Sequence, residues 1–249
     1  MPRPRASCKD QPVPETAAHL VVDEQTWIAA RRELLVKEKE LTRRRDELSR
    51  QRRDLPWARI DKPYIFDTPD GSRTLEQLFD GRRQLIVYHF MFGPNWQEGC
   101  PICSFWADNY DGLGVHLAHR NTTLIAVSRA PLDQLLAYRE RMGWSFPWVS
   151  AVHSDFNFDF NVSFTPQQQE NGGIENYAPV EHPGEESPGL SVFTRGDDGA
   201  IYHTYSCYSR GLDPLNSAYQ LLDLTPLGRD ENSLSWSMAW LQRHDEYEN

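Results

Sequence analysis

The sequence predicts an α/β fold, with a central mixed sheet covered by helices on both faces and one long helix in front of it. Three observations carry that expectation. Apolar runs of strand length alternate with helical segments between Tyr64 and Met142, the pattern of a partly parallel sheet. Two later runs flank a Gly/Asp-rich loop and read as a hairpin. Between Asp23 and Leu55 there is neither Gly nor Pro until Pro56 stops the segment, as in a long helix.

Met1 to Val22 is rich in proline and polar groups and is expected to be a flexible tail that adds nothing ordered to a core. Asp23 reads as the N-cap of the long charged helix, residues 23–56. Leu20, Trp27, Leu34, Leu41, Leu48 and Leu55 recur every seven residues. The matching second seam holds Ala30, Lys37, Arg44 and Gln51, too polar for an ordinary coiled coil. The narrow stripe predicts that the helix lies on the body of its own or of a partner subunit, which makes a homodimer through this helix an expectation. Arg31 to Arg53 carries ten Lys or Arg and five Asp or Glu in a chain of net charge −10, so the helix is basic and the remainder acidic. Docking within or between subunits fits that asymmetry better than nucleic-acid binding, because acidic residues are interleaved and no recognition motif accompanies them.

The main domain is expected over residues 60–225, followed by a C-terminal extension, 226–249. Tyr64 to Phe66 reads as a strand, Asp70-Gly71 as a turn, and Thr74 to Phe79 as a short helix. Leu85 to Phe92 has the β-branched and aromatic content of a strand buried on both faces. A turn through Gly93, Pro94 and Asn95 leads to a helix expected from Cys100 to about Arg120. Thr122 to Ser128 is another strand, Pro131 sits at the first turn of a helix running to Met142 and ended by Gly143, and Trp148 to Val152 is a further strand. An insertion at about 153–188 follows, in which the alternation of Phe156, Phe158 and Phe160 predicts a half-buried strand. It could wall off the neighbouring site or extend the core, and the alternation favours packing. Leu190 to Thr194 and Ala200 to Tyr205 form the hairpin, and Pro214 to Leu222 a last helix.

Cys100 and Cys103 form a C-x-x-C at the strand-to-helix transition. Unpaired N–H groups at a helix N-terminus stabilise a thiolate, so Cys100 is the candidate nucleophile and Cys103, one turn on, the candidate resolving thiol. The chemistry this predicts is thiol–disulfide exchange with a thiol or disulfide substrate, no cofactor being called for. A second reading joins Cys100, Cys103, His116 and His119 in a structural zinc site, although the histidine spacing is one short of the usual finger pattern. A third is a non-catalytic scaffold that binds a small molecule or a partner protein through the Phe-rich insertion and the long helix. His89 reads as a hydrogen-bonded core residue, and Asp108 and Asp111 as solvated helix residues or proton relays. Cys8 and Cys207 read as incidental, and four cysteines are too few for a disulfide scaffold at this length. No apolar run approaches a membrane span and the first residues lack a secretory pattern, so a cytoplasmic protein that binds neither membrane nor nucleic acid is expected.

The β-α-β-α then β-β-α order is that of a thioredoxin-like domain, and the stretch from Tyr64 through the cysteines resembles the thioredoxin and peroxiredoxin superfamily. The segments Leu85–Phe92, Cys100–Ser104, Phe156–Phe164, Pro188–Phe193, Leu221–Pro226 with Gly228–Asp230, and His244–Tyr247 together resemble the bacterial family called domain of unknown function 899, over roughly Val22 to Tyr247. The resemblance implies a thioredoxin-like sandwich and supplies no established reaction. It also implies a proline before the hairpin, here Pro188, held cis against the cysteines. Pro188, Trp96 and Pro101 are the expected substrate-binding residues. The peroxiredoxin pattern P-x-x-x-[TS]-x-x-C is absent, since Gly93 and Gln97 stand at its Pro and Thr/Ser places before Cys100. Pro101 and Ile102 between the cysteines stand closer to the C-P-x-C of glutaredoxins.

Overall fold

The computed structural model describes residues 19–248. The expected tail, Cys8 included, lies outside them as far as residue 18. The long helix is α1, Glu24–Arg53, opened by Asp23, whose carboxylate accepts the Thr26 N–H at 2.9 Å. Arg50, Arg52 and Arg53 in its last turn oppose the negative end of the helix dipole. None of its residues is buried, and Arg52 over the Tyr205 ring, at 5.4 Å, ties its C-terminal end to the body. Within its own subunit the leucine stripe therefore stays uncovered, contrary to one of the two placements expected for it. The interleaved acidic and basic residues explain how such a helix holds by itself, through intrahelical pairs such as Arg50 with Glu47 and Asp54.

The body is built on β1 (Ala58–Arg59), β2 (Ile65–Thr68), β3 (Gly71–Thr74), β4 (Gln84–His89), β5 (Thr122–Ser128), β6 (Trp148–Ser150), β9 (Gly189–Arg195) and β10 (Ile201–Tyr208), with a separate hairpin of β7 (Gly173–Glu175) and β8 (Ala178–Val180). The large sheet has the order β1-β10-β9-β4-β5-β6-β2-β3. β4 lies parallel to β5 and antiparallel to β9, and β5 lies parallel to β6. β4-β5 and β9-β10 thus form the βαβ and ββα halves of a thioredoxin-like sandwich. One face is covered by α2 (Pro101–Ala107), α4 (Leu132–Arg141) and α7 (Ser217–Leu222). The other is covered by a 3-10 turn at Gln77–Phe79 and by α5, Phe156–Asp159.

The alternation of β4 explains its central place. Leu85 and Val87 enter one core and Tyr88 and Phe90 the other, all essentially inaccessible.

Several expected elements take a different form. The helix expected from Cys100 to Arg120 is two pieces, α2 and α3 (Gly114–Ala118), because Gly112 adopts a φ of +77° that an α-helix does not allow. Residues Thr74–Phe79 close into the 3-10 turn, and the last helix begins at Ser217 behind a 3-10 stretch, Ser209–Leu215, that holds Pro214. The strand expected from Phe156, Phe158 and Phe160 is the single helical turn α5. Phe156 and Phe160 pack at 4.7 Å into the core, so the aromatics do pack inward, four apart on a helix instead of two apart on a strand. α6, Pro166–Asn171, follows with a capping box from Thr165 and Gln168.

Candidate functional site

β4 delivers the chain to Met91, where both cysteines are anchored. The Cys100 N–H donates to the Met91 carbonyl at 3.1 Å, and the Met91 N–H points at the Cys103 Sγ at 3.5 Å. Cys100 occupies the N-cap of α2 and Pro101 its first turn, where a missing N–H costs nothing. Gly99 admits the chain, since a Cβ there would lie 2.7 Å from Phe90 Cε1 and 3.0 Å from Tyr138 Cε1. Ser104 donates to the Cys100 carbonyl at 3.0 Å and meets the Tyr138 hydroxyl at 2.9 Å.

The two thiols are unequal. Cys100 is half-buried, and Cys103 is 1% exposed. A hydrogen bond from the Cys103 thiol, backbone N–H groups of Cys103 and Ile102, and the Arg243 guanidinium bring Cys100 down to about 7, against the opposing effect of burial. Cys103 is pushed well up, by burial first and by Cys100 second. The pair is free, not bonded. One sulfur is therefore poised as a thiolate near neutrality, and the other is a protonated donor beneath it.

Arg243 went unnoticed in the sequence. It donates to the Gly99 carbonyl at 2.8 Å and to the Tyr138 hydroxyl at 2.8 Å, and pairs with Glu98 and Glu246. The C-terminal segment thus folds back onto the residue before Cys100. The only signal for it was its place next to His244–Tyr247, one of the segments that carry the family resemblance.

Trp96 lies in the turn before Cys100, and its indole N–H donates to Glu185 of the insertion at 2.8 Å. Glu186, next in the chain, is 4% exposed and pairs with Arg129 at 3.0 Å and Ser163 at 2.6 Å. Burial outweighs both partners and moves its carboxyl up to about 7. Pro188 enters β9 with a trans bond, as does every described residue, so the cis bond implied by the resemblance is absent. On either side of it, the Ser187 N–H donates to the Val162 carbonyl at 2.8 Å and Gly189 pairs with His89.

Other candidates take structural places. His89 is buried against Phe156 and Phe160, bonded to Ser191 at 2.8 Å, and burial lowers it to about 3, so it stays neutral. Asp108 accepts from Trp144 and His244, and Asp111 from Ser145. Cys207 is buried in β10 and is a free thiol. Among the described residues no three His, Cys, Asp or Glu side chains are grouped to hold a metal ion, so His116 and His119 do not join the cysteines in the zinc arrangement.

The family model described as bacterial protein of unknown function (DUF899) matches residues 16–247. The chain belongs to this family. A comparison with curated proteins finds no match. Among solved structures, this DUF899 chain is similar to the peroxidoxin BcpB of Mycobacterium tuberculosis, at 12% identity and a TM-score of 0.44 over 67% of this chain and 97% of that one. It is similar to a mutant of peroxiredoxin Q from Xanthomonas campestris at 15% identity and 0.42, over 67% and 95%. A hypothetical protein of Sinorhizobium meliloti matches at 12% identity and 0.37, over 60% and 70%. These likenesses concern the fold alone. No helix among the described residues is long and apolar enough to cross a membrane.

Proposed function

We propose that the protein is a thiol–disulfide oxidoreductase. The observation that supports this reading is the inequality of the two thiols, the accessible one lowered to about 7 and the buried one raised beneath it. The Cys100 thiolate attacks one sulfur of a substrate disulfide, forms a mixed disulfide, and releases the other half as a thiolate. Cys103 then gives up its proton and attacks the Cys100 sulfur, which closes the Cys100–Cys103 disulfide and releases the second substrate thiolate. A small or protein dithiol reductant restores the pair, taking up the disulfide itself. Trp96, Pro101 and Pro188 are the residues proposed to meet the substrate.

The test is trapping. Cys103→Ser should accumulate mixed disulfides with an added disulfide such as oxidised glutathione, whereas Cys100→Ser should form few. Equal trapping by the two variants would leave the oxidoreductase reading without support and favour a scaffold.

A further inference from the structure

At the other end of the sheet from the cysteines there is a cavity of about 430 Å³, within the range of small-molecule sites. It exists because the β5–β6 ladder stops early. That ladder pairs Ala126 with Trp148, Val127 with Val149 and Ser128 with Ser150, and the Ala126 N–H donates to the Pro147 carbonyl at 2.9 Å. Backbone groups alternate sides along a strand, so Leu124 points its N–H and C=O the same way as Ala126. Continuing the ladder one step would require an N–H at position 147. Position 147 is proline, which has none. Leu124 is 8% exposed and lines the cavity, with one donor and one acceptor and no strand opposite.

Charge selects among ligands. Three arginines line the space, and two are already neutralised: Arg73 lies 2.8 Å from Asp70 and Arg82 lies 2.6 Å from Asp80. Arg139 has no carboxylate partner among the described residues. Pro69 and Pro147, both exposed along the cavity lining, supply apolar surface, whereas Leu78 and Trp148 behind them are buried in the two cores. The far side is closed where β2 meets β6 at Asp67 and Ser150, so the slot does not admit a strand running through it.

The geometry points to a binding site for a small carboxylate that carries an adjacent N–H or O–H donor and an apolar body, the class of 2-acylamino and 2-hydroxy acids. The carboxylate meets Arg139 and the Leu124 N–H, the adjacent donor meets the Leu124 C=O, and the apolar group lies against Pro69 and Pro147. The site is separate from the cysteines and holds whether or not they exchange disulfides.

Titration calorimetry on the full chain tests it with three probes: N-acetyl-L-phenylalanine, its carboxamide, and 3-phenylpropionate. Saturable binding of the first is expected, with the carboxamide about tenfold weaker for loss of the charged bond and 3-phenylpropionate a few-fold weaker for loss of the donor. Arg139→Gln should weaken the first probe to the level of the carboxamide, and Cys100→Ser should bind it as the unmodified chain does. Absence of saturable binding at millimolar probe, equal binding of acid and carboxamide, or undiminished binding by a folded Arg139→Gln would each overturn the assignment. The acid–carboxamide comparison uses the unmodified protein, so it decides the matter even where the variant fails to fold.

Discussion

Arg243 donates to the carbonyl oxygen of Gly99 at 2.8 Å, joining the C-terminal segment to the residue before Cys100. The same guanidinium reaches the Tyr138 hydroxyl, so a single side chain fixes both the loop and the helix beside it. Its charge is shared with Glu98 and Glu246, so its effect on Cys100 is first positional and then electrostatic.

Arg243→Gln is expected to raise the Cys100 thiol from about 7 towards its ordinary value, because a cation that favours the thiolate is lost. The Cys103 thiol and two backbone N–H groups lower Cys100 more than Arg243 does, so the thiolate fraction at neutral pH should fall by less than about twofold. The pH dependence of iodoacetamide alkylation reads this directly. Arg243→Lys, which keeps charge without the planar fork, should recover only part of the change.

Gly99→Ala should destabilise the protein by about 1–3 kcal/mol, the usual cost of overpacking. The new methyl would press on Phe90, a core ring that is 1% exposed, and on the buried Tyr138. Thermal unfolding measures the loss, and Cys100 alkylation reports the displaced loop. An unchanged melting temperature would show that the loop yields freely.

Cys100 also links stability to pH. Its folded value lies below its ordinary one of 9.0, so its contribution is fully present above that value and is lost as pH falls through about 7. Cys100→Ser should flatten this part of the stability profile in denaturant titrations between pH 6 and 9.

Glu186 acts with the opposite sign. Its folded value, about 7, lies above the ordinary 4.5, so its contribution is full below 4.5 and is lost as pH rises through 7. The change has an upper bound of about 3 kcal/mol. Glu186→Gln should remove this slope, and it takes a charged partner from Arg129 only above about pH 7, where the carboxyl is ionised. Urea unfolding across pH 4 to 8 separates the two effects.

The βαβ half of the fold was legible because its strands are short continuous apolar runs buried on both faces, as Leu85 to His89 and Thr122 to Ser128 are. The Phe-rich insertion was misread because Phe156, Phe158 and Phe160 satisfy a two-residue period while only Phe156 and Phe160 enter the core, on one turn of helix. Periodicity over so few residues does not separate a strand from a helical turn. Only the cis isomer that the resemblance implied for Pro188 differs in the structure, and a proline's isomer is not fixed by residues adjacent in sequence.

The amino-acid order alone determined the long charged helix, the central strand from Gln84 to His89 and the placing of Cys100 and Cys103 one turn apart, since each depends on residues within a few positions of one another. Only the tertiary structure decided that Arg243 would stand beside Gly99, that Glu185 would hold Trp96, and that Pro147 would leave Leu124 facing a cavity. Those meetings join residues far apart in sequence, and the packing of two cores around one sheet brings them together.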